Sequence, residues 1–183
     1  VIDHDTFGRA QDVIVRRETP ADVSAARAVQ VAAFRRPDAS DEPVEARLLD
    51  SLRVCDGWIP ALSIVAELDS RIVGHVVTTR AFVDQTPALG LGPIGVLPSH
   101  QRCGIGLALM HATIGAADAL GEPLIGLLGS PDYYRRFGFV ASNTVGVSAP
   151  EPAWGPHFQV RTLTLHHPNI RGRFTYARPF DEM

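Results

Sequence analysis

Between residues 89 and 128 the chain reads as strand, helix and strand, and no other feature constrains the fold as much. Leu89 to Leu97 is apolar but interrupted by Gly92, Pro93 and Gly95, which predicts an irregular, bulged strand ending at Pro98. From Gly104 to Leu120 the residues Leu107, Met110, Ile114 and Ala117 recur at helical spacing, and Gly121 with Pro123 gives the stop signal. "PLIGLLG" then runs apolar without alternation, as a strand covered on both faces does. A helix of this length suits a crossover between parallel neighbours.

The flanking segments predict a mixed α/β domain with a mostly antiparallel sheet. A short β-branched run, Val13 to Val15, precedes Thr19, Pro20 and Asp22, which stand where an N-cap, a first helical residue and a third-position acid belong. A helix from about 20 to 34 follows, with Val23, Ala26, Val29 and Ala33 as its apolar stripe. Asp41 caps a second helix whose apolar residues are Val44, Leu48, Leu49 and Leu52. Leu62 to Leu68 alternates as a strand does, and "DSR" at 69 to 71 turns it into "IVGHVVTTRAFV", a hairpin. After the crossover come a short polar helix, "PDYYRRF", the segment "FVASNTVGV" and a further strand, "FQVRTLTL". The 183 residues are read as a single domain.

Composition narrows the chemistry. All seventeen basic residues are arginine, so no Walker lysine, Schiff-base lysine or lysine general base exists here. Cys55 and Cys103 are too few for a disulfide framework or a four-cysteine zinc site, and the seven histidines show no ligand spacing, so no metal is expected. A formal net charge of −3 without charge runs predicts no nucleic-acid or membrane partner. No apolar stretch approaches the ~20 residues of a membrane span. The opening "VIDHDTFGRAQD" lacks a secretory pattern, so the expected location is the cytoplasm.

"HQRCGIGLAL" then poses the functional question. Glycines at 104 and 106, at a helix start, let backbone N–H groups approach a ligand, and a helix N-terminus favours negative charge. The predicted guest is a phosphate. A Walker loop fails for want of lysine, and the dinucleotide fingerprint fails at its third glycine, where Leu109 stands. The acetyl-CoA pyrophosphate loop, Gln/Arg-x-x-Gly-x-Gly/Ala, is matched by Gln101, Gly104 and Gly106.

Here the chain resembles the GCN5-related N-acetyltransferase (GNAT) family. "PIGVLPSHQRCGIG" is similar to the family's fourth strand, exit proline and pyrophosphate loop, and "YYRRFGF" at 133 to 139 to its Tyr-x-x-x-Gly-Phe motif. The likeness covers about residues 12 to 165, with an extension from 166 to 183 whose "NIRGRFTYARPF" is similar to the close of small bacterial predicted acetyltransferases. The resemblance implies helices flanking a mostly antiparallel sheet with a splayed, parallel fourth and fifth strand pair. It implies acetyl-CoA as cosubstrate, a small-molecule or peptide amine as acceptor, and a homodimer in many relatives. Backbone groups of Arg102, Cys103, Gly104, Ile105, Gly106 and Leu107 would ring the pyrophosphate. Ile94, Gly95 and Val96 would offer the edge on which the pantetheine arm pairs and the thioester oxygen is polarised. Tyr134, four residues before Gly138, takes the position of the family's general acid. Where many relatives have an asparagine after the fifth strand, Ser130 stands instead.

Four questions stay open on sequence alone. The amine's base is Glu67, His75, His100 or water. Small residues near the thioester, Gly95 and Gly126, would permit an acyl group longer than acetyl. The aromatic rings of "WGPHF" at 154 to 158 either line an acceptor cleft or close the core. A non-catalytic acyl-CoA-binding module would keep the same loop.

Overall fold

A computed structural model describes residues 12–38 and 40–182, so the opening stretch read above for a secretory pattern lies almost wholly outside the described residues. The strands are β1 (Ile14–Arg17), β2 (Ser63–Leu68), β3 (Arg71–Val83), β4 (Thr86–Val96), β5 (Leu124–Leu128), β6 (Val140–Ala141), β7 (Val147–Ser148), β8 (Phe158–Thr162) and β9 (Gly172–Thr175). The helices are α1 (Val23–Phe34), α2 (Val44–Arg53), α3 (Ile105–Ala119) and the single turn α4 (Pro131–Tyr134). The sheet runs β1-β2-β3-β4-β5-β8-β6, with β9 on β3 and β7 on β9. Every pairing is antiparallel except β4–β5 and β7–β9.

Local chemistry explains the ends of the elements. Asp69 and Ser70 both take positive φ between β2 and β3, as a tight hairpin turn requires. Pro20 to Asp22 forms a 3-10 turn, and the Asp22 carboxylate accepts from the Thr19 N–H at 2.8 Å, so α1 proper begins at Val23. The strand predicted from residue 89 starts at Thr86, directly after a turn in which Asp84 has φ 48°. The strand predicted through residue 165 ends at Thr162.

Two apolar faces differ from the sequence reading. On α3, Ile105, Leu109, Met110, Ile114 and Ala117 are buried against the sheet, whereas Leu107, assigned to that stripe, is 43% exposed. On α1, Val23 is turned outward, and Gln30 is buried with Ala26 and Val29. A polar side chain in the stripe is invisible to a hydrophobic pattern because burial there depends on partners from other strands.

The C-terminal extension enters the core. Phe174 and Tyr176 are buried with Phe158, Val160 and Leu124, and Trp154 packs on the same cluster. The "WGPHF" rings therefore close a core: the Trp154 and Phe158 centroids lie 6.1 Å apart and those of Trp154 and Tyr176 6.4 Å apart.

Candidate active site

The parallel pair β4–β5 holds together only at Leu89↔Ile125 and Gly90↔Gly126, after which the two strands part. β4 shifts register against β3 between its Leu91 and Ile94 partners, at Gly92 and Pro93. Proline has no N–H to continue a ladder, so the irregularity predicted for this strand falls at Pro93. Beyond it, the edge of β4 facing away from β3 is open. Leu97 donates its N–H to Val73 of β3 at 2.9 Å, and strand alternation then turns the polar groups of Val96 and Ile94 outward and those of Gly95 toward β3.

A cleft of about 540 Å³ lies along this open edge, lined by Ile94, Val96, Gln101, Arg102, Gly104, Gly106, Leu107, Tyr133, Tyr134 and Arg136. Seven of the predicted site residues besides Tyr134 thus converge. Gln101 has a role that its motif position did not disclose: its side-chain amide donates to the Val96 carbonyl at 3.1 Å, tying the loop to the last outward-facing group of β4. Four predicted residues, three of them expected to act through backbone groups, are not among those lining the cleft. Ile105 is buried in the core, and Cys103 is exposed with its thiol toward the Gln101 carbonyl at 3.4 Å. Gly95 faces α1, and Ser130 precedes α4, its carbonyl accepting from the N–H groups of Tyr133 and Tyr134.

The loop into α3 is built to present N–H groups. Arg102 and Gly104 have φ of 62° and 84°, a sequence of left-handed turns that makes neighbouring N–H groups converge. No side chain caps α3, so the N–H groups of its first turn have no partner within the helix and face the cleft mouth with the positive end of the helix dipole. Arg102 and Arg136 line the same cleft, with no carboxylate among its lining residues. The combined field favours an anion.

Tyr133 and Tyr134 form the opposite wall. Tyr133 places its hydroxyl 3.0 Å from where a Cβ on Gly106 would lie, and Arg136 stacks on its ring at 5.0 Å. Neither Tyr133 nor Arg136 was singled out by sequence as a cofactor neighbour; helical spacing from Tyr134 was the available signal. Tyr134 is more deeply set, its ring covering Gly129. Burial pushes its phenol up to about 12, so the hydroxyl stays protonated through the neutral range.

None of the three base candidates lines the cleft. His75 is fully buried on β3: Gln30 Nε2 lies 2.9 Å from its Nδ1 and Ser63 Oγ 3.0 Å from its Nε2. Burial lowers the His75 pKa. Glu67 accepts from Arg16 at 2.9 Å and shares with His100 a separate groove. Among the described residues no cluster of His, Cys, Asp and Glu is placed to hold a metal ion. Nor is any described helix long and apolar enough to cross a membrane.

With this geometry in hand, comparison with known proteins decides the family. A model of the GNAT acetyltransferase domain matches residues 60–141. The uncharacterized N-acetyltransferase YjhQ of Escherichia coli K12 is 31% identical over 143 residues, covering 74% of this chain and 79% of the relative.

The chain belongs to the GNAT acetyltransferase family.

Its GNAT fold is that of a Brucella melitensis family acetyltransferase crystallised with acetyl-CoA, at TM-score 0.75 and 31% identity over 93% of this chain and 99% of that one. The fold also matches that of Escherichia coli YhbS in complex with CoA, at TM-score 0.85 and 24% identity over 95% and 94% of the two chains. The parallel, parting β4–β5 pair expected from the GNAT resemblance is present.

Proposed function

We propose that this GNAT protein moves the acetyl group of acetyl-CoA to a primary amine, on a small molecule or a peptide, by direct transfer within a ternary complex. The observation that carries the reading is the open edge of β4 leading through the 97–104 loop to an uncapped helix N-terminus, with a half-buried phenol on the facing wall. The first turn of α3 and Arg102 hold the pyrophosphate, and the pantetheine arm hydrogen-bonds along Ile94 to Val96 as an added strand. The acetyl-CoA and CoA in the complexes of the two GNAT neighbours support a CoA-type cosubstrate.

The amine nitrogen attacks the thioester carbon, and an outward N–H of β4 stabilises the oxyanion. Collapse breaks the C–S bond, the departing sulfur takes a proton from Tyr134, and the proton lost by the adduct's nitrogen returns through water in the cleft to the tyrosinate. An ordinary thiol has pKa ~8.5, so protonating a free thiolate from a phenol at about 12 is uphill. Desolvation in the slot raises the proton affinity of the departing thiolate alongside that of the phenol, which narrows the gap.

The test is calorimetric titration with acetyl-CoA and CoA, followed by thiol release against a panel of amines. Binding with turnover on at least one amine is expected; binding without turnover on any amine supports a sensing module instead. Val96→Pro, which deletes an outward N–H without adding charge, is expected to abolish turnover.

A further inference from the structure

The sequence leaves acyl-chain length open because Gly95 and Gly126 offer space, but in the structure that space is filled. A Cβ on Gly95 would meet Gln30 and Ala33, at 2.7 and 3.0 Å, and one on Gly126 would meet the Phe174 ring at 2.6 Å. The same holds at the fork: a Cβ on Gly90 would lie 2.5 Å from the Tyr176 ring. These glycines therefore admit aromatic side chains from the C-terminal segment and one α1 glutamine, and leave no pocket.

The direction of the cofactor arm makes the fork important. The pyrophosphate loop follows the C-terminal end of β4, so an arm laid on the open edge starts at Val96 and runs back toward Leu91. Its acyl group then points at the closed end of the slot, where Gly90 and Gly126 form the last β4–β5 pair. Tyr176 spans that end. Its ring lies on Gly90 of β4 and packs at 4.9 Å on the Phe174 ring that covers Gly126 of β5. Phe180 backs it at a centroid distance of 4.5 Å and stands 3.8 Å from where a Cβ on Gly92 would be.

We propose that Tyr176, buttressed by Phe180, is the specificity-determining stop that admits acetyl and propionyl groups and rejects longer acyl chains. This rests on the CoA placement proposed above. A packed interior resists added methylenes because neighbours must leave their rotamers.

Calorimetric titration with CoA, acetyl-CoA, butyryl-CoA and hexanoyl-CoA tests it without knowledge of the acceptor. The wild type is expected to bind hexanoyl-CoA about tenfold or more weakly than acetyl-CoA. Tyr176→Leu and Phe180→Ala should bring hexanoyl-CoA back to within about threefold of acetyl-CoA while CoA affinity holds, and Tyr176→Phe should keep the discrimination. Should Tyr176→Leu fail to fold, as loss of CoA binding would reveal, Phe180→Ala decides alone. Equal wild-type binding of all chain lengths overturns the stop, as does unchanged discrimination in variants that still bind CoA. Failure of the wild type to bind CoA at all overturns the parent reading instead.

Discussion

The amide oxygen of Gln30 stands 2.7 Å from the point where a Cβ on Gly95 would sit, and it has no hydrogen-bond partner among the described residues. Its Nε2 lies 2.9 Å from the His75 ring Nδ1 and donates to the His75 carbonyl at 3.2 Å. With both amide hydrogens directed at one residue, the side chain is not free to flip, and the oxygen stays aimed at β4. Nδ1 is then an acceptor, so neutral His75 carries its proton on Nε2, toward Ser63. These hydrogen bonds lock α1 to β3 and thereby hold the Gln30 oxygen against Gly95 of β4, the strand that is proposed to polarise the thioester.

Gly95→Ala tests that lock. The new methyl would overlap Gln30 Oε1 and press on Ala33, and relieving it requires moving α1 away from β4. Overpacking of this kind costs about 1–3 kcal/mol. A lowered denaturation midpoint together with a raised KM for acetyl-CoA is expected. Wild-type values for both would show that the contact sets nothing.

Tyr134→Phe should keep acetyl-CoA affinity near wild type while kcat falls about 100-fold or more, the usual contribution of a positioned acid. Tyr133→Phe, which removes a hydroxyl beside Gly106 and away from Gly129, should spare kcat and act on cofactor affinity. Stopped-flow binding and steady-state rates on one amine separate the two. A larger kcat loss in Tyr133→Phe would reverse the assignment.

At Gly104 the difficulty is backbone conformation rather than space. Nothing lies within 4 Å of a Cβ there, yet φ is 84°. An alanine would fit but strain the left-handed turn by about 1–2 kcal/mol, and the loop N–H groups would diverge. Gly104→Ala and Gly104→Val should weaken CoA, acetyl-CoA and longer acyl-CoAs by the same factor, read by calorimetry. A loss confined to one acyl chain length would place the loop away from the pyrophosphate.

Glu18 governs acid stability. Burial alone would raise its pKa, but the His75 ring 3.7 Å away and hydrogen bonds from Arg53 and Ser63 more than offset that and hold it at about 2. Its side chain is only 4% exposed. A depressed carboxylate contributes stability that is complete above its unfolded value, ~4.3, and is lost as pH falls through the folded value. Urea midpoints at pH 6 and pH 3 should therefore drop more steeply in the wild type than in Glu18→Gln, although the variant is the less stable at pH 6. Parallel pH slopes would contradict the linkage.

Much of the site was legible because its chemistry is local. Gly104 and Gly106 are needed where a backbone turns sharply and a tyrosine hydroxyl approaches, and such demands are written in consecutive residues. The alternation of β2 and β3 and the crossover through α3 were readable for the same reason. Tyr176 and Phe180 were not: they lie some fifty residues beyond the glycines' strand pair, and only the pairing of β9 with β3 brings them over the fork.

By itself the sequence determined the order of the main elements through β8, the glycine turn at residues 101–107 that is proposed to bind an anion, and the exclusion of lysine chemistry, because short-range periodicity, glycine conformation and composition act without tertiary contacts. Only the tertiary structure decided which polar residues are buried, that Gln30 faces Gly95, and that the open-looking glycines at 90, 95 and 126 are filled. Whether a glycine leaves a void or a seat depends on which distant side chain the folded chain delivers to it.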